Sequence, residues 1–150
     1  MKIKEIMTKE VKTLSPSMSV KEAIALLVKS EISGLPVVDE RRYVVGMFTE
    51  KDLLRLVLPD YTEQGGEFVY LLETDGFEKK AAEFENIKVS DVMRKEVICV
   101  EEETPMVEVA RLMIVKKIRR IPVLKYDRLS GIVARADIVK EIAKKSGINI

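Results

Sequence analysis

The residues best able to do chemistry lie in two short stretches. In Gly46-Met47-Phe48-Thr49-Glu50-Lys51-Asp52 a hydroxyl and a carboxylate stand three residues apart, where an apolar strand runs into a helix start. A carboxylate at that place can accept two hydrogen bonds from a ribose diol, and charge-assisted bonds are about twice as strong as neutral ones. The threonine hydroxyl can add a bond to ribose or phosphate, and helix N-terminal amides favour an anion. A plainer reading fits the same residues. Thr49-x-x-Asp52 is a variant capping box, and an aspartate in a first turn is favourable on dipole grounds alone, by about 0.3–1 kcal/mol.

The echo, Gly131-Ile132-Val133-Ala134-Arg135-Ala136-Asp137, lies 85 residues on. The glycine, two apolar residues and the aspartate recur; the threonine is replaced by Ala134. Asp137 therefore persists without its capping hydroxyl and is not there merely as half of a box. The basic residues are also unequal. Lys116-Lys117-Ile118-Arg119-Arg120 precedes one Ile-Pro step, whereas Ser30-Glu31-Ile32-Ser33-Gly34 precedes the matching Leu-Pro step. Two arginines at a strand start can pair bidentately with a phosphate; equally, cations at a solvated helix end complement the dipole.

Composition narrows the chemistry further. The 150 residues are 47% apolar and 34% charged, as in a folded globular chain. The absence of histidine removes His-based catalysis and most zinc sites. A single cysteine, Cys99, rules out an internal disulfide and multi-Cys metal clusters, and reads as a small buried apolar residue. No acid/base pair or nucleophile-plus-base set is recognisable, so no enzyme and no catalytic residue is expected. A net charge of +1 and few aromatics disfavour nucleic-acid binding by the Lys116–Arg120 cluster. No apolar run is long enough to span a membrane and the start lacks a signal-peptide core, which predicts a cytoplasmic location.

The two stretches belong to a repeat. At an offset of 86, Met7 meets Met93, Lys9-Glu10-Val11 meets Lys95-Glu96-Val97, Leu26 meets Leu112 and Pro36-Val37 meets Pro122-Val123; one residue is then lost in the turn. Each repeat reads as β-α-β-β-α, an α/β (α+β) class, and each alone is too small to bury its apolar faces well. In the first, Val11 to Leu14 is a strand entry and Ser19-x-x-Glu22 a capping box. A helix follows with Val20, Ala23, Ile24, Leu27 and Val28 on one face. Leu35–Val38 and Tyr43–Phe48 should pair as a hairpin, and Glu50–Leu58 is a helix stopped by Pro59. In the second, Val97–Val100 is the strand entry and Thr104 the N-cap, with Pro105 at the first helical position. Leu112, Val115 and Ile118 cover the buried face. Ile121–Leu124 and Ser130–Val133 are strands, and Arg135–Lys145 is a helix stopped near Gly147. The expected boundaries are 1–58, a connector at 59–86, and 87–150. In the connector, Asp60–Gly66 reads as loop, Glu67–Glu73 as a short helix and Phe77–Glu85 as helical, laid over the surface.

In order and twice over, Ile6-Met7 and Val92-Met93, Leu35-Pro36-Val37-Val38 and Ile121-Pro122-Val123-Leu124, and the two glycine-to-aspartate stretches make the chain resemble a tandem pair of CBS (cystathionine-β-synthase) domains, a Bateman module. The resemblance implies two units related by a pseudo-two-fold axis, often a homodimer of such pairs, and regulation in place of catalysis. It implies adenosine ligands (AMP, ADP or ATP, less often S-adenosylmethionine or NAD) in clefts between the units, with no other cofactor. It also implies that the ribose aspartate of one unit works with the basic pair of the other. That reading groups Thr49 and Asp52 with Arg119 and Arg120, and lines the cleft with Met47, Val97, Ile98 and Pro122. A weaker second cleft would hold Val11, Leu14, Ser33, Gly34 and Asp137, with Arg135 in partial compensation. The output would pass to a protein partner or through the oligomer. The alternative is an interaction or oligomerisation module independent of ligand.

Overall fold

A computed structural model describes residues 1–58 and 78–149. The expected stop at Pro59, the loop Asp60–Gly66, the helix Glu67–Glu73 and Phe77 lie outside the described residues. Contacts divide the chain into two units that do not follow the repeat boundaries. One comprises Thr13–Asp39 and Val45–Glu96; the other comprises Met1–Lys12, Glu40–Val44 and Val97–Ile150. The leading segment of each repeat is thus packed with the body of the other.

In the first unit, α1 (Val20–Ser30) starts where Ser19 Oγ accepts from the Glu22 amide at 3.1 Å. It ends where Glu31 turns left-handed at φ 54°. Its buried face is Val20, Ala23 and Leu27. Val28, expected on that face, is 73% exposed, because 100° per residue carries it past the edge of a stripe set by the 20, 23, 27 spacing. The strands β1 (Gly34–Val38) and β2 (Val44–Thr49) pair, as the hairpin reading expected. The strand entry expected at Val11–Leu14 shrinks to one parallel bridge, in which Leu14 donates to Pro36 and accepts from Val38, both at 2.9 Å. The helix α2 (Glu50–Val57) follows β2 directly. Residues 78–82 are helical, a 3-10 turn covers Phe84–Asn86, and a single turn, α3 (Val89–Val92), closes the unit. The core is Leu14, Val20, Ala23, Leu27, Leu35, Val37, Phe48, Phe84 and Val89.

The second unit repeats the order with β3 (Val100–Glu101), α4 (Met106–Lys116), β4 (Arg120–Lys125), β5 (Arg128–Ala134) and α5 (Arg135–Lys145). The sheet runs β3-β4-β5, the first pair parallel and the second antiparallel. Only Val100 of the expected Val97–Val100 strand lies in β3, which continues to Glu101. The N-cap of α4 is Pro105, one residue beyond Thr104. The first helical amide, Met106, finds its acceptor in the Met1 carbonyl at 2.8 Å, so no side-chain cap is required. Val109 and Met113 form the buried face of α4, while Val115, expected there, is 61% exposed. Tyr126 and Asp127 join β4 to β5 with φ 51° and 66°, the left-handed pair of a tight two-residue hairpin. Gly147 follows α5 at φ 83°, as expected of its stop. The core is Ile3, Val100, Val109, Met113, Ile121, Val123, Val133 and Ile138.

The exchanged segments explain both the recurring glycines and the recurring methionines. Thr8 pairs with Ile132, and Arg94 with Met47, through reciprocal backbone bonds of 2.9–3.0 Å. A β-carbon on Gly131 would stand 2.5 Å from Met7 Sδ and 2.9 Å from the Thr8 carbonyl oxygen; one on Gly46 would stand 2.5 Å from Met93 Sδ and 2.9 Å from the Arg94 carbonyl oxygen. Each glycine is the floor over which a leading segment crosses.

Candidate functional site

Two helix starts hold most of the singled-out residues, one in each unit. At the start of α2, Asp52 Oδ2 accepts from the Thr49 amide at 2.8 Å and from the Thr49 hydroxyl at 3.0 Å. Thr49 Oγ1 in turn accepts from the Asp52 amide at 3.4 Å, completing the capping box. Asp52 is only 5% exposed. A carboxylate taken out of water needs partners for both oxygens. The box supplies them to Oδ2. Oδ1 faces Arg55 Nη1 at 3.5 Å, an arginine that is itself 69% exposed. Sequence reasoning passed over Arg55, although its i,i+3 spacing from Asp52 was the available signal.

The floor of this site is β1. The Glu50 amide donates to the Ser33 carbonyl at 2.8 Å, tying the helix start to the residue before the strand. Gly34 lies so close that a β-carbon there would stand 2.8 Å from Thr49 Cγ2. Ser33, Gly34, Thr49 and Asp52 therefore meet in one unit. Met47, two residues earlier on β2, is 8% exposed. Leu14 is 1% exposed and belongs to the core of the same unit.

The second unit repeats the arrangement with other side chains. The Arg135 amide donates to the Arg119 carbonyl at 2.9 Å, the counterpart of the Glu50–Ser33 bond. Arg120 lies opposite Ala134 in the β4–β5 register, and Pro122 opposite Ile132. Asp137 Oδ2 accepts from the Ala134 amide at 2.8 Å, but alanine has no oxygen to return, so half a box forms. Arg119, Arg120, Ala134 and Asp137 meet here. Arg119 is exposed, Arg120 half-buried and Pro122 buried; Val97, Ile98 and Val11 are half-buried.

Other candidates are quiet. Cys99 is half-buried, and burial, seconded by Glu101, pushes its thiol above the ordinary value. A thiol so raised is a poor nucleophile. Among the described residues no group of acidic or Cys side chains is placed to hold a metal, and no helix is long and apolar enough to cross a membrane.

The CBS domain family matches residues 3–59 and 89–144. The chloroplastic CBS domain-containing protein CBSX1 of Arabidopsis thaliana is 31% identical over 154 residues, covering 95% of this chain and 65% of that protein. The crystal structure of CBSX2 in complex with AMP superposes with a TM-score of 0.75 at 28% identity, covering 97% of this chain and 98% of that one. The CBS domain pair of protein MJ0100, in complex with 5′-methylthioadenosine and S-adenosyl-L-methionine, gives 0.72 at 27% identity, with coverages of 97% and 98%. Several curated relatives are longer: this chain spans 23–65% of the first five.

Proposed function

The chain belongs to the CBS-domain family, and on that premise we propose that it is a regulatory module that binds an adenosine nucleotide (AMP, ADP or ATP) and passes a change of arrangement to a partner. In this reading Thr49 and Asp52 take the ribose, and Arg119 and Arg120 take the phosphate. Met47, Val97, Ile98 and Pro122 flank the base. Val11, Leu14, Ser33, Gly34 and Asp137 form a weaker second set. No catalytic role is proposed for any of them.

The observation that carries the reading is Asp52. It is a buried carboxylate with one oxygen committed to the helix cap and the other held, among the described residues, by a long contact to an exposed arginine. A vicinal diol would give that oxygen shorter, charge-assisted bonds. The AMP and S-adenosyl-L-methionine complexes of the similar CBSX2 and MJ0100 structures support an adenosine ligand.

The test is calorimetry with AMP, ADP, ATP, S-adenosylmethionine and NAD on the protein and on Asp52→Ala and Arg120→Ala. Binding of a nucleotide by the parent, lost in both variants, supports the assignment across the two sets. Binding that survives Asp52→Ala refutes it.

A second reading, an oligomerisation module, is favoured by the outward apolar residues Val107, Ile114 and Val115 on α4 and Val139 and Ile142 on α5, all at least 52% exposed. Homodimerisation through these faces is compatible with ligand sensing. It is tested by light scattering on Ile114→Glu, which should shift the mass toward the monomer.

A further inference from the structure

We infer that Arg55 is a placeholder on Asp52, a counter-ion that a vicinal diol has to displace. The inference rests on the nucleotide reading above and adds a residue that sets its affinity.

Three observations carry it. First, Asp52 Oδ2 is fully engaged by the Thr49 amide and hydroxyl, so Oδ1 is the oxygen available to a newcomer. Second, the contact on Oδ1 is an ion pair at 3.5 Å, well outside the 2.7–2.9 Å or so of a strong charge-assisted bond. Its arginine is 69% exposed, so the guanidinium is largely solvated and can withdraw into water. Third, the arrangement is not a by-product of the helix. The matching place beside Asp137 holds Lys140, and among the described residues no ion pair joins Lys140 to Asp137. Lysine is a compact, strongly hydrated point charge, whereas arginine presents a planar fork. A buried carboxylate with a loosely held counter-ion can exchange one partner for another. A ribose diol brings two donors to the oxygen that Arg55 covers at long range.

The sign of the effect separates this role from a phosphate contact. A competitor weakens ligand binding, so its removal tightens it. A phosphate ligand strengthens binding, so its removal loosens it. Adenosine, which has the diol and no phosphate, isolates the first effect. Binding of adenosine and of 2′,3′-dideoxyadenosine would be measured on the full chain and on Arg55→Gln and Arg55→Lys, with AMP on the parent and Asp52→Ala as the reference. Because exposed ion pairs are weak, the expected gain is modest: Arg55→Gln binds adenosine about two- to five-fold tighter. Dideoxyadenosine binding stays unchanged, and Arg55→Lys falls between parent and Arg55→Gln. If Arg55→Gln binds adenosine no better than the parent while AMP binding still depends on Asp52, the placeholder role is overturned and the nucleotide reading stands. If dideoxyadenosine gains as much as adenosine, Arg55 acts through the fold and not through the diol, which also overturns it. Absence of AMP binding by the parent overturns both.

Discussion

The starts of α2 and α5 occupy equivalent places in two units built on one plan, yet they differ at two positions that turn out to be one difference. Where the first unit has Gly34 beneath Thr49, the second has Arg120 opposite Ala134. The methyl of Thr49 fills the space above a residue with no side chain. Alanine leaves room beside a residue with a long one. A hydroxyl at the helix cap and an arginine at the strand start are therefore alternatives, set by volume across the strand pair. What both starts keep is the aspartate and its 2.8 Å bond to the N-cap amide. One start thus pairs its carboxylate with a hydroxyl, the other with a neighbouring cation.

The two aspartates should differ most in what their loss does. Asp52→Ala should weaken AMP binding about ten- to a hundred-fold, the range of one or two hydrogen bonds to a charged group. Asp137→Ala, at the weaker set, should change it less than about threefold. Calorimetry on the two variants decides. Equal losses would mean that both starts serve one ligand or that two ligands bind alike.

The glycines should be equivalent where the aspartates are not. Gly46→Ala and Gly131→Ala both place a methyl 2.9 Å from a backbone oxygen of the crossing segment. Overpacking of this kind costs about 1–3 kcal/mol, and backbone cannot retreat as a side-chain tip can. Urea unfolding should show similar destabilisation in the two variants. A large disparity would mean that one leading segment is free to lift away.

Smaller effects test the volume argument itself. Thr49→Ala converts the first start to the second and should cost about 1 kcal/mol, the ordinary worth of an N-cap oxygen. The reverse change is not symmetric. Ala134→Ser adds the oxygen alone and should stabilise by about 0.5–1 kcal/mol. Ala134→Thr adds the methyl as well, crowds Arg120, and should gain less than the serine. If threonine gains as much as serine in urea midpoints, the coupling across β4–β5 is wrong.

Local chemistry was legible in the sequence and long-range exchange was not. The α-β-β-α order that both repeats keep, the Ser19 cap, the Thr49–Asp52 box, the β1–β2 hairpin and the stop at Gly147 all rest on local spacing, and all are present. Helix faces were legible only in part. The apolar spacing puts Val28 and Val115 on the inward face, yet both are exposed, because the angle at the edge of the stripe decides burial. Strand entries were overestimated: Val11–Leu14, with apolar residues only at its two ends, and the apolar run Val97–Val100 are not paired along their length. The crossing of each leading segment onto the body of the other repeat depends on pairings far apart in sequence, Thr8 with Ile132 and Met47 with Arg94, for which periodicity carries no signal. The recurring glycines and the methionines that cross them were its trace. The repeats at 1–58 and 87–150 are units of sequence that contact regroups.

The leading segments themselves also differ in charge. In the unit containing Met1–Lys12, Lys2 and Lys4 both reach Glu103, the latter at 2.6 Å. The equivalent places in the other unit are Lys88, Ser90 and Ser17, where the Ser90 amide donates to the Pro16 carbonyl at 3.0 Å. One crossing thus holds an ion-paired carboxylate; the other keeps Lys88 but has Ser17 in the carboxylate's place, and in that sense is the neutral one. Hydrogen bonds from the two lysines hold the Glu103 carboxyl down at about 2, against an ordinary 4.5. A depressed folded value means stability that is present above pH 4.5 or so and lost as the carboxyl protonates toward pH 2. The groups are solvated, so the contribution is small and screened by salt. Amide exchange should report it locally. Between about pH 4.5 and 2, protection at Ile3 and Thr8, whose amides bond Thr104 and Ile132, should fall relative to protection at Val89 and Arg94. Glu103→Gln should lower it at neutral pH and remove the pH dependence. Parallel loss in both segments would show that acid acts on the whole fold, and the charged crossing would then be no different from the neutral one.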